Sequence, residues 1–215
     1  MEYPIAPSFS SSSFDSDRAT TRAKSALTAS ISVKTALRNG NLEPLVQISH
    51  AIAESIRDGG KVLLCGNGGS AADCQHLATE FVVRLTSKRN RIALPALALT
   101  TDTSTLTAAS NDYGFDQVFS RQIEALGCSG DVLIGFSTSG TSKNILFASE
   151  TAKRLGITTI GFLGSHLDTM KLHLDYILSV PSPDPARIQE AHITLGHIMV
   201  DLVECDLFGF PVGEP

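Results

Sequence analysis

From Gly60 onward, short unbroken apolar runs alternate with longer stretches in which apolar residues recur every three or four positions. The runs are Val62–Cys65, Leu94–Leu99, Val132–Phe136, Thr158–Leu163 and Tyr176–Val180. The helical stretches between them are Ala71–Leu85, Ser104–Asn111 with Val118–Leu126, and Asn144–Leu155, and a long one closes the chain at Arg187–Leu207. Runs that are apolar at consecutive positions, without inside–outside alternation, mark strands covered on both faces. Strands separated by helices join through right-handed crossovers, so the pattern predicts a five-stranded parallel sheet in a doubly wound αβα sandwich.

Ahead of the first strand the pattern predicts two helices. Ala23, Leu27, Ile31 and Leu37 lie at roughly helical spacing between Arg18 and Asn39, with Gly40 as a stop. Leu45, Ile48, Ile52 and Ile56 share one face of Glu43–Asp58, which Gly59-Gly60 ends. These helices must pack outside the sheet or against another copy. Residues 1–17 hold a run of serines and two prolines and cannot bury much; a mobile tail is expected there, with one domain over 18–215.

Composition removes several function classes. At 42% hydrophobic residues the 215-residue chain is not disordered as a whole. Net charge is −5 and no basic patch is evident, which argues against direct nucleic-acid binding by phosphate neutralisation. No apolar run approaches the ~18 residues that a membrane helix needs. Charged residues are 18%, below the usual ~25%, which is consistent with surface hidden in an oligomer. Cys65, Cys74, Cys128 and Cys205 form no CxxC pair, and the N-terminus has no secretory pattern; reduced thiols in the cytoplasm are expected.

In doubly wound sheets ligands bind beyond the carboxyl ends of the strands. Three loops there are rich in Gly, Ser, Thr, Asn and Asp. The first is Gly66-Asn67-Gly68-Gly69-Ser70, before a helix that Ser70 is expected to cap. Its glycines allow close approach of backbone to a ligand, and a helix start offers N–H groups to an anion. A tight turn without a ligand is the plain alternative. Dinucleotide binding is another, but it lacks an acid at the expected distance. The second loop is Ser137-Thr138-Ser139-Gly140-Thr141-Ser142, five hydroxyls in six residues without the lysine of a nucleotide-triphosphate loop, which suits a phosphate monoester. The third comprises Thr100–Ser104 and then Asn111-Asp112, whose composition favours helix capping over sugar binding. His76 and Glu80 are spaced i, i+4 and share a helix face, suited to a divalent metal or to a surface pair. Gln189 and His197 sit on the last helix, about 12 Å apart along its axis, too far for one metal unless they reach toward each other.

Taken together, CGNGGSAADCQHLATEFVVRL (65–85), LPALALTTDTSTLTAASNDYGFDQVF (94–119), GDVLIGFSTSGTS (130–142) and ARIQEAHITLGHIMVDLVE (186–204) resemble the sugar-isomerase (SIS) domain family, with its flavodoxin-like sheet, and most closely the phosphoheptose isomerases. The resemblance implies conversion of sedoheptulose 7-phosphate to D-glycero-D-manno-heptose 7-phosphate, a homotetramer and one Zn²⁺ per subunit. It implies substrate contacts from Asn67, Gly68, Gly69, Ser70, Glu80, Asn111, Asp112 and Gln189, which reverses the compositional preference for capping at 111–112. Ser137, Thr138, Ser139 and Ser142 correspond to a phosphate cradle. His76, Glu80, Gln189 and His197 correspond to metal ligands, with Glu80 and His197 as the acid–base pair. Ala186 stands where some members have an acid. The resemblance also offers a rival, a non-catalytic SIS protein that binds the replication initiator DnaA; His197, which that group lacks, favours an enzyme.

Overall fold

The computed structural model describes residues 14–211. Five strands, β1 (Val62–Gly66), β2 (Ala96–Ala98), β3 (Val132–Ser137), β4 (Thr158–Leu163) and β5 (Tyr176–Ser179), form one parallel sheet in the order β2-β1-β3-β4-β5. Seven helices flank it: α1 (Ser16–Asn39), α2 (Glu43–Arg57), α3 (Gly69–Val82), α4 (Thr103–Tyr113), α5 (Val118–Leu126), α6 (Lys143–Arg154) and α7 (Pro185–Phe208).

The unbroken apolar strands divide their side chains between two cores. Val62, Leu64, Val132 and Ile134 point into a core with Ile48 and Ile52 of α2, Leu77 and Phe81 of α3, and Met199 and Val203 of α7. Leu63, Cys65 and Leu133 point the other way, against Val118 and Ile123 of α5 and Ile145 and Ala148 of α6. Every residue of β1 and β3 is buried, which is why neither strand shows polar alternation.

β2 is half the length expected from the run Leu94–Leu99. Pro95 has no N–H to give the ladder, and the Leu94 N–H bonds instead to the Phe81 carbonyl at 3.1 Å, so pairing starts at Ala96. The expected tail at 1–17 falls mostly outside the described residues, but Ser16 and Asp17 are already helical, with Asp15 capping α1 through its bond from the Arg18 N–H. α2 lays Leu45, Ile48 and Ile52 on the core beside α7. α1 buries no residue and leaves Leu27 and Ile31 about two-thirds exposed. No described helix is long and apolar enough to cross a membrane.

Strand order reverses between β1 and β3, and Gly66 is aligned with Phe136. The loops that leave these two strands therefore emerge side by side.

Candidate active site

Gly68, at φ +57°, makes the turn from β1 into α3 and occupies the cap position. Ser70 does not cap: it lies inside the first turn, buried, with its N–H bonded to the Asn67 carbonyl at 3.0 Å. Ser70 is the second residue of α3, already past the position from which a side chain caps the free N–H groups. A Cβ on Gly69 would lie 2.8 Å from the Gln189 amide nitrogen, so this glycine lets α7 come against the loop. Asn67 is held by Asn144 of α6 in a reciprocal pair of amide hydrogen bonds, 2.9 and 2.8 Å.

The hydroxyl loop is folded on itself. Ser137 and Ser142 Oγ are 3.0 Å apart; the Gly140 N–H donates to Ser137 Oγ and the Thr141 N–H to Ser139 Oγ. Gly140 has φ +67° and passes against the His166 carbonyl, where a Cβ would collide. Thr138 and Ser139 open into a cavity of about 220 Å³, shared with Ser165, His166 and Ser182 from the loops after β4 and β5. Asn111 and Asp112 are exposed in the last turn of α4, the amide of one donating to the carboxylate of the other at 2.8 Å. Asp102 is the residue that caps α4, accepting from the Thr105 N–H, so 111–112 stand about 15 Å along the helix from its strand-end start.

His76, Glu80 and His197 converge, each offering a ligand atom within 4.8 Å of the others. His76 Nε2 is 2.8 Å from His197 Nε2 and 3.3 Å from Glu80 Oε1. Only one proton fits between the two ring nitrogens. Burial holds the His197 imidazole below its ordinary pKa; the neighbouring His76 lowers it further and Glu80 opposes both. Two facing imidazole lone pairs beside a carboxylate form a borderline-hard N/O donor set suited to a divalent cation such as zinc.

The spacing of Gln189 and His197 has a matching partner. The Gln189 amide sits at Gly69, and His197 sits at His76, seven residues further along α3. α3 and α7 thus run alongside each other in the same direction, one end at the glycine loop and the other at the His–Glu–His cluster. About 10 Å separates those ends, comparable with an extended seven-carbon chain. Gln189 is at the loop end; His76, Glu80 and His197 are the three that meet at the other.

Sequence reasoning passed over Asn144 and Arg91. Arg91 donates to the carbonyls of Glu80 and Phe81, yet nothing in a loop arginine's local sequence signals such a target. Asn144 lies two residues past the hydroxyl loop, and its link to Asn67 spans 77 positions.

The SIS domain profile matches residues 27–164. The phosphoheptose isomerase of Roseiflexus sp. (strain RS-1) is 52% identical over 180 residues, 84% of this chain and 90% of that protein. Among solved structures, phosphoheptose isomerase from Neisseria gonorrhoeae aligns with a TM-score of 0.81 at 43% identity, covering 86% of this chain and 98% of the other. The enzyme from Francisella tularensis aligns with a TM-score of 0.82 at 36% identity, covering 86% and 97%.

Proposed function

We propose, since the chain belongs to the SIS-domain family and within it to the phosphoheptose isomerases, that it converts sedoheptulose 7-phosphate to D-glycero-D-manno-heptose 7-phosphate, the entry to nucleotide-activated heptose for glycans such as lipopolysaccharide or capsule. The observation that carries the reading is the convergence of His76, Glu80 and His197 two helical turns from a glycine loop and a hydroxyl loop that lie side by side.

The reaction moves a proton from C1 of the ketose to C2 through an enediol, while a second proton moves from O1 to O2, leaving an aldehyde at C1 and a hydroxyl at C2. It needs a base at the carbon, a proton donor at the oxygen and stabilisation of the charge that develops between them. Glu80 and His197 supply the acid–base pair. Glu80 is mostly buried beside His76, where a carboxylate acts with less competition from water. The phosphate binds at Ser137, Thr138, Ser139 and Ser142, with Ser70 nearby. Asn67, Gly68 and Gly69 meet the sugar at one end, and Gln189 beside Gly69 reaches it there from α7. Binding the distant phosphate holds the reacting carbons at the cluster.

Zn²⁺ would be held by His76, Glu80 and His197 and would polarise the sugar oxygens, whereas Gln189 stands about 10 Å along α7, at Gly69. A homotetramer would cover α1, whose Leu27 and Ile31 the other described residues leave about two-thirds exposed. The free thiols of Cys65, Cys74, Cys128 and Cys205 accord with the reducing cytoplasm.

Glu80→Gln removes the basic carboxylate and keeps its shape. Turnover of sedoheptulose 7-phosphate, followed by NMR, should fall about 10²–10⁴-fold with sugar-phosphate binding retained. Near-normal turnover would sink the assignment.

A further inference from the structure

We propose that Arg91 is a positioning residue for the isomerisation, holding the end of α3 that carries Glu80 in register with the face of α7 that carries His197. The inference rests on the assignment of Glu80 and His197 as the acid–base pair.

α3 ends at Val82; its cap, the Val83 N–H, takes the Thr79 carbonyl, but the carbonyls of Glu80 and Phe81 have no partners within the helix. Arg91 supplies them: one terminal nitrogen donates to the Glu80 carbonyl at 2.7 Å and the other to the Phe81 carbonyl at 2.8 Å. Its Nε donates to Glu204 on α7 at 2.7 Å, and both side chains of this pair are fully buried. Glu204 is seven residues from His197, two turns along the same helix face. The Leu85 N–H also reaches the Glu204 carboxylate at 3.4 Å, and Arg89 joins both Glu204 and Asp201. One planar guanidinium thereby spans from the backbone of Glu80 to the helix of His197. Lysine has the charge but not the fork, and its single nitrogen cannot reach all three acceptors in that geometry.

A contact that served stability alone would leave every folded molecule equally competent. A positioning contact changes how each molecule handles its intermediate. In D₂O the proton taken from C1 exchanges with solvent; the deuteron then returns to C1, labelling recovered ketose, or goes to C2, giving product. The ratio of labelled ketose to product is independent of how many molecules are folded, and it depends on where Glu80 and His197 stand relative to the carbons.

The test compares wild type, Glu80→Gln, Arg91→Lys and the isosteric Glu204→Gln, each checked for fold by circular dichroism. Displacing Glu80 by about 1 Å should lower kcat about 10²-fold in Arg91→Lys. KM should change far less, and the labelling ratio should shift; Glu204→Gln should shift it in the same direction by less. An unchanged ratio in the folded variants overturns the proposal, as does wild-type kcat in Arg91→Lys. If Arg91→Lys does not fold, Glu204→Gln decides by the same ratio, and loss of fold in both variants overturns the proposal by making the contact purely structural. A wild-type protein inert toward sedoheptulose 7-phosphate would instead sink the isomerase reading itself.

Discussion

His192 offers a test of the core that is separate from catalysis. Its ring is wholly buried on α7, edge-on to Phe136 and Phe162 with centroids 5.8 Å away in each case. Nε2 donates to the Leu163 carbonyl at 3.1 Å, and Nδ1 has no partner among the described residues. Burial pushes the imidazole down from 6.5 to about 4, against a smaller opposing effect of the Leu163 carbonyl. Above pH 6.5 the ring is neutral whether the chain is folded or not, so its environment adds no pH dependence. Between 6.5 and about 4 only the unfolded chain takes up the proton, and stability falls with pH by about 1.4 kcal/mol per unit. The full gap corresponds to about 3 kcal/mol, a large share of the ~5–15 kcal/mol typical of a domain. His192→Gln keeps a donor of similar reach to Leu163 and cannot titrate. Urea unfolding at pH 7.5 and 4.5, at one protein concentration and with metal chelated, should show wild type losing about 2–3 kcal/mol more than the variant between the two pH values. Equal losses would refute the assignment of a neutral, buried His192, whatever the absolute stability of the variant.

Two further outcomes follow from the loops. Gly140→Ala must move the chain off the His166 carbonyl and strain a positive-φ position, so KM for the sugar phosphate should rise about tenfold or more, equivalent to ~1.4 kcal/mol, as read by steady-state kinetics. Asn144→Ala removes both bonds to the Asn67 amide; thermal or urea unfolding should show a loss of about 1–2 kcal/mol and kinetics a raised KM, whereas an unchanged KM would separate Asn67 from the sugar.

The periodicity of the chain determined the sandwich. Five apolar runs became five parallel strands: β1, β3 and β4 are buried on both faces, which leaves them no polar alternation, while the edge strands β2 and β5 stay partly exposed. The glycine and hydroxyl loops were legible for the same reason: strand ends in this fold are where backbone donors are free, and their residue types are local facts. Two local details departed from the expected pattern at residues adjoining in the chain. Pro95 cut β2 short, and Gly68 took the cap position expected of Ser70. The tertiary structure alone decided which distant residues meet. Gln189 and His197 looked too far apart to work together until α7 lay alongside α3, which placed one at Gly69 and the other at His76. Asn67 with Asn144, and Arg91 with Glu80 and Glu204, are joined across 77, 11 and 113 positions. No short-range pattern encodes such pairs, because the energy that selects them comes from packing two helices on one sheet.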